Sequence, residues 1–269
     1  MTNSDTNAIR EYHEATNHSY WSFRSNSYGL DWANQPVPFK IYKSLKSISL
    51  PQDDIPTNLS VQQALAGLHR PTGENLIPSF STLARIMYLS AGITKRKPYP
   101  GGEIYFRAAA CTGALYHIDL YLIVGDIQGL DAGVYHFGPH DFGLVRLRAG
   151  DYRGVLTESI VNDDLIKKAP VTVVLADTHW RNAWKYQGRA YRHSFWDSGT
   201  VLANMLAAVS AYGLPAKVIT SFVDEQVAGL IGLAENKESP IALVQIGHTK
   251  TAPIFEPVDT KALDYEIEA

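Results

Sequence analysis

The chain has 269 residues, 45% hydrophobic and 19% charged, enough for one large or two small domains with a full core. A net charge of −3 excludes broad non-specific binding to nucleic acid, because basic character is confined to local patches. The start MTNSDTNAIREYHEATNHSYW has no signal-peptide core, and no apolar run approaches roughly 18 residues, so a cytoplasmic protein without a membrane partner is expected.

Residues 1–58 hold eight of the 29 aromatics (Tyr12, Tyr20, Trp21, Phe23, Tyr28, Trp32, Phe39 and Tyr42) among polar residues and the prolines of NQPVPF. A disordered tail would be poor in aromatics, so an extended arm lying on the body or on a partner subunit is expected. From Ser60, apolar residues recur at helical spacing: first Val61, Ala64, Leu65 and Leu68, then Leu83, Ile86, Met87 and Ala91 before Gly92. The loop HRPTGENLIPS joins these two helices. Residues 116–124, 133–137, 171–176, 216–221 and 241–246 are rich in β-branched and aromatic side chains and bounded by Gly, Pro or Asp, which predicts strands. A helix is expected over 180–195. Another carries Val201, Leu202, Met205, Leu206 and Val209 and ends near Gly213, and a shorter one over 224–233 precedes the last strand. Helices, then a hairpin, then alternating helix and strand indicate an α+β fold around one mixed sheet.

Several standard sites are absent, including a Gly-rich dinucleotide fingerprint, a phosphate-binding loop, a Gly-x-Ser-x-Gly elbow and His-Glu-x-x-His. Cys111 is the one cysteine, so there is no intramolecular disulfide and no thiolate cluster for a metal. His136 and His140 flank Gly138-Pro139, which predicts a hairpin turn and no shared metal site. What stands out is HWRNAWKYQGRAYRHSFWDSGT, residues 179–200. On one helix Arg181, Lys185, Arg189 and Arg192 would share a face, and such repulsion points to an anionic counterpart, with a solvated face as the alternative. Arg70 and Thr72 could serve a phosphate. The small residues between Arg107 and Tyr116 could let backbone amides approach a ligand, or could reflect tight packing before a strand. Gly247 and Lys250 end the final strand with a flexible residue and a cation.

Taken in order, YHEATNHS, QPVPFKIY, AGIT, RAAACTGALYHIDLYLIV, GLDAGVYHF and WRNAWKYQGRAYRHSFWDSGTVLANMLA make the chain resemble FMN-dependent dehydrogenases of the SagB/ThcOx type, within the nitroreductase superfamily. The resemblance implies a nitroreductase-like sheet flanked by helices, an FMN-binding domain over 59–269, and an intertwined homodimer with FMN in a cleft between subunits. By position it implies flavin contacts from Arg70 and Thr72, from Cys111, Thr112, Gly113, Ala114 and Leu115, from Thr220 and Ser221, and from Gly247 and Lys250, and the charges of Arg107, Arg189 and Arg192 would suit an anionic flavin. Glu74 stands where a second cation is common, and Ala110-Cys111 replaces Pro-Ser. Lys185-Tyr186 matches the pair associated with catalysis in azoline-oxidising members.

The expected reaction is therefore oxidation of an azoline-type ring in a modified peptide or small molecule. Lys185 or Tyr186 would act as base, beside a biosynthetic partner enzyme. An NAD(P)H-dependent reductase of nitro compounds or quinones, and a flavin-free scaffold that binds peptide, stand as alternatives.

Overall fold

Residues 118–124, Ile-Asp-Leu-Tyr-Leu-Ile-Val, are all buried, which a strand achieves only when both faces of its sheet are covered. The computed structural model describes residues 6–25, 28–53, 59–66, 73–160 and 166–268. Leu68, Arg70 and Thr72 lie outside the described residues. In chain order the elements are α1 (Thr6–Thr16), α2 (Tyr20–Ser25), β1 (Ile41–Tyr42), β2 (Ser47–Ser49), α3 (Val61–Leu65), α4 (Phe80–Ala91), β3 (Ile93–Tyr99), β4 (Gly102–Arg107), β5 (Ile118–Val124), β6 (Gly133–Gly138) and β7 (Gly143–Ala149). There follow α5 (Arg153–Ser159), β8 (Val171–Thr178), α6 (His179–Tyr186), α7 (Ala190–Ala211), β9 (Ala216–Ile219), α8 (Asp224–Ile231), β10 (Glu238–Ile246) and β11 (Ile267–Glu268).

Seven strands form the main sheet in the order β2-β7-β6-β5-β8-β10-β9. Alternation along β5 divides the core. Leu120, Leu122 and Val124 join Leu83, Ile86 and Met87 of α4 and Val201, Met205 and Val209 of α7 on one face. Tyr121 and Ile123 join Leu156 of α5 and Val227, Leu230 and Ile231 of α8 on the other. The α+β fold with helices flanking one sheet is as expected, but the sheet is antiparallel at every described pairing, not mixed. Strands β5, β6 and β7 follow one another through connections of eight and four residues, short enough to make neighbours pair antiparallel, and β10 inserts between β8 and β9. A hairpin turn follows His136 as expected, with His136 in β6 and His140 within the turn.

Several elements depart from the sequence reading. Strand β7 carries Arg146 and Arg148, which mask its apolar alternation. Arg148 is buried because its guanidinium donates to the carbonyls of Gly229, Leu230 and Lys261, satisfying the end of α8. The exposed ribbon of β3 and β4 had no apolar pattern to announce it. The helix expected over 180–195 breaks at Gln187, whose φ of 50° and ψ of −137° end α6 before a short 3-10 turn leads into α7. Gly188 weakens the helix there, and the break separates the like charges that a continuous face would have stacked.

The N-terminal segment is not simply extended. Helix α1 lies on the α6–α7 junction, with the Tyr12 hydroxyl donating to the Gly188 carbonyl at 3.0 Å and its ring edge-on to Tyr191. Farther along, Phe39, Lys40, Tyr42 and Leu50 are buried, β2 pairs with β7, and β1 pairs with β11. At this end of the sheet Lys40 Nζ binds Glu238 at 2.7 Å and the Tyr121 hydroxyl at 2.9 Å. Thr178 donates to Asp119 and Glu238, and Arg181 binds Asp119 at 3.1 Å. Glu238→Ala would leave Lys40 charged and buried, and urea unfolding is expected to show a loss of about 3–5 kcal/mol. Combining it with Lys40→Met should recover most of that loss.

Candidate active site

The segment between β4 and β5 carries the residues expected to line a planar ligand. Gly113, Ala114 and Tyr116 have φ of 65°, 54° and 47°, a left-handed course that only glycine adopts without strain. A side chain at Gly113 would place its Cβ 2.5 Å from the Tyr186 hydroxyl oxygen, so the glycine lets this loop pack directly on Tyr186. Tyr186 is half-buried, with its ring edge-on to His193 at 4.8 Å and Lys185 Nζ 5.4 Å from its centroid. Lys185, Gly113, Leu115 and Arg181 line a cleft of about 660 Å³. Trp32 and Phe39 from the N-terminal segment and Tyr105 from β4 line it as well. The sequence-predicted pair and the flavin-lining loop thus meet.

The arginines of the 179–200 motif do not converge on one anion. Arg181 is buried against Asp119 and the Tyr116 carbonyl, anchoring α6 to β5. Arg189 donates to the Thr16 carbonyl, while Arg192 binds the Thr16 hydroxyl at 2.8 Å and the His13 carbonyl at 2.7 Å. Arg107 is buried with its guanidinium over the rings of Phe39 and Tyr116. Burial, with help from the neighbouring Arg181, lowers its pKa to about 10 against the opposing pull of Asp119, so it stays charged at neutral pH.

The other predicted contacts sit elsewhere. Gly247, at φ 78°, leaves β10 with its amide donating to the Pro215 carbonyl, and a Cβ there would strike the Leu76 carbonyl. His248 pairs with Leu76 through backbone hydrogen bonds, and Lys250 binds Glu74 at 2.8 Å and, through its amide, Asn75. This turn therefore lies against residues 73–76, which directly follow Arg70 and Thr72 in the sequence. A pocket of about 450 Å³ here is lined by Lys168, Lys217, Gln245, His248 and Lys250 among others, and Gln245 Nε2 is buried without a partner among the described residues. Strand pairing puts this pocket and the Lys185 cleft at opposite ends of the sheet. Val171 of β8 faces Ile246, whereas Asp177 faces both Ile118 and Ser239, so six steps of β8 separate them by roughly 20 Å. Thr220 and Ser221 lie exposed just past edge strand β9, nearer the cleft end.

The sequence reading missed the group that supports the loop. His117 is fully buried, with Nδ1 2.6 Å from Asp177 and Nε2 2.9 Å from Asp197. Burial disfavours the imidazolium, but the two carboxylates outweigh it and push the pKa up to about 11. Burial likewise acts against the Asp197 carboxylate, yet donors from His117, Cys111 and Thr112 hold it below the usual range. The available signal was Asp197 on the apolar side of a helix, where a charge requires a partner.

His117 stabilises the fold fully below its ordinary pKa of about 6.5, and progressively less as pH rises toward 11. Asp197 works in the opposite sense, its contribution being lost on acidification through its lowered pKa. His117→Asn is expected to cost about 3 kcal/mol at pH 7 and to flatten the decline of the urea midpoint between pH 7 and 10. Equal slopes in the two proteins would contradict the assignment.

Comparison with known proteins agrees with this architecture. The model of the nitroreductase family matches residues 83–248. The trifolitoxin-processing protein TfxB of Rhizobium leguminosarum bv. trifolii is 23% identical over 257 residues, covering 82% of this chain and 68% of the relative. The microcin B17-processing protein McbC of Escherichia coli is 24% identical over 157 residues, covering 56% and 54%. A solved structure from Anabaena variabilis, assigned to the nitroreductases, is similar with a TM-score of 0.75 at 27% identity, covering 88% of this chain. A chain of the E. coli microcin synthetase McbBCD complex with truncated pro-MccB17 bound gives 0.57 at 19% identity, covering 90% and 92%. The chain spans 45% of the Anabaena chain and about half of McbC. With more than half its length matched by the family model, on the sheet and helices described above, the chain belongs to the nitroreductase family of oxidoreductases.

Proposed function

We propose that the chain is an FMN-dependent dehydrogenase that oxidises an azoline-type heterocycle in a modified peptide or related small molecule. The observation that carries this reading is that Lys185 and the left-handed loop of residues 113–116 line one aromatic-walled cleft, with Tyr186 packed against Gly113 of that loop. The two peptide-processing relatives support it. The pocket at the other end of the sheet fits a phosphate: it has several cations, a buried amide nitrogen without a partner, and a glycine where a side chain would not fit. Arg70 and Thr72 would join it from the preceding segment.

Because the two sets of residues lie roughly 20 Å apart along β8, one chain does not bring them all to one flavin. A homodimer in which each cleft is completed by the second copy resolves this. The exposed Tyr191, Phe195 and Trp196 on α7 supply an apolar surface for it. FMN, when bound, supplies the two-electron acceptor for hydride from the ring carbon. Lys185 or Tyr186 takes the proton from the carbon beside the ring's carbonyl substituent. Trp32, Phe39 and Tyr105 orient the planar ring and limit water.

Lys185→Ala should lower turnover at least about a hundredfold while flavin content stays constant, read as loss of two hydrogens from an azoline peptide by mass spectrometry. Loss of flavin in that variant would make Lys185 a binding residue, and bleaching of wild-type flavin by NAD(P)H would favour a reductase. Glu74 competes with a phosphate for Lys250 through an exposed ion pair. Glu74→Gln is therefore expected to tighten FMN binding about threefold in a fluorescence titration.

A further inference from the structure

We infer that Asp197 and His117 are positioning residues for the reaction proposed above: they hold residues 111–116 in the course that sets Gly113 against Tyr186 and Leu115 in the cleft that Lys185 also lines. The inference rests on that functional reading for its catalytic consequence and on geometry for the clamp itself. Three of the four residues 113–116 have positive φ, which is strained for Ala114 and Tyr116, so the loop needs outside support.

Asp197 provides it. Its carboxylate accepts the Thr112 amide and hydroxyl, each at 2.9 Å, the Cys111 thiol at 3.1 Å, and His117 Nε2 at 2.9 Å. One carboxylate on α7 therefore ties both ends of the strained segment, before Gly113 and after Tyr116. His117 passes the tie on to Asp177 of β8, whose second oxygen accepts the Ser194 hydroxyl on α7. The closed ring links loop, helix and sheet, so the loop moves only if buried charge is exposed.

Cys111, His117 and Asp197 also place ligand-type atoms within 4.8 Å of one another, a spacing that suits a cation. The hydrogen bonding argues against that use. With a carboxylate on each ring nitrogen, both nitrogens donate, and such an imidazolium has no lone pair for a metal.

Cys111 is the chain's one cysteine, so its alkylation is read without interference from another thiol. Iodoacetamide modification should be at least about tenfold faster in Asp197→Asn than in wild type, corresponding to loss of charge-assisted hydrogen bonds. In the same preparation kcat on the azoline peptide should fall by about tenfold or more, with bound flavin still visible. Thr112→Val, which removes one of the four donors, should give intermediate effects of about two- to fivefold, and keeps the test open if Asp197→Asn does not fold. Unchanged alkylation in both variants would overturn the clamp. Faster alkylation with unchanged kcat would overturn the positioning role. A wild-type protein that binds no flavin, yet shows the graded alkylation series, would sink the enzymatic reading and leave the clamp standing.

Discussion

An imidazole shared by two buried carboxylates sits where β5, β8 and α7 come together, and the geometry of the candidate site follows from it. His117 precedes β5, Asp177 is on β8, and Asp197 is on the second turn of α7. Beside this group run Arg181–Asp119 and Lys40–Glu238, linked by the Thr178 hydroxyl. Burying so many charges costs desolvation, which is offset only where each has a partner at hydrogen-bond distance. The result is an end of the sheet whose parts have little freedom to shift independently. Helix α6 is pinned through Arg181, so Lys185 and Tyr186, in its last turn, are presented at a fixed place over the loop.

How much of this was legible depended on whether the signal was local. The apolar periodicity of α4 and α7 and the β-branched runs of β5, β8 and β10 announced themselves, because burial on a helix stripe or a covered strand leaves a pattern in a short window. Strand β7 hid because Arg148 is buried through carbonyls of α8, far away in sequence. The continuous helix expected over 180–195 failed for a similar reason. Arg189 and Arg192 find their acceptors on α1, more than 170 residues away, and the break at Gln187 lets them reach there. Lys185-Tyr186 and residues 111–115 were singled out by resemblance, and the structure brings Lys185 and Tyr186 against that loop. His117, Asp177 and Asp197 were not singled out. They are separated by 60 and 20 residues, and each is unremarkable until the fold assembles them.

The two poles of the sheet have different characters. At one end the polar groups are buried and matched in charge; at the other an open basic pocket surrounds the turn after β10. A flavin has a planar ring and a phosphate, and the two poles suit one part each. Their separation along a single strand makes the proposed homodimer a geometric requirement of the functional reading, with the ring end of one subunit meeting the phosphate end of the other. The N-terminal segment contributes to the first pole, since Trp32 and Phe39 wall the cleft and Tyr28 donates to the Trp184 carbonyl.

The most direct test of this account is the visible absorption spectrum of the purified protein, followed by release and identification of the chromophore. Flavin bands, with FMN released on denaturation, are the predicted result. A colourless protein that takes up no FMN from excess would contradict the enzymatic account and indicate a nitroreductase fold used as a binding scaffold.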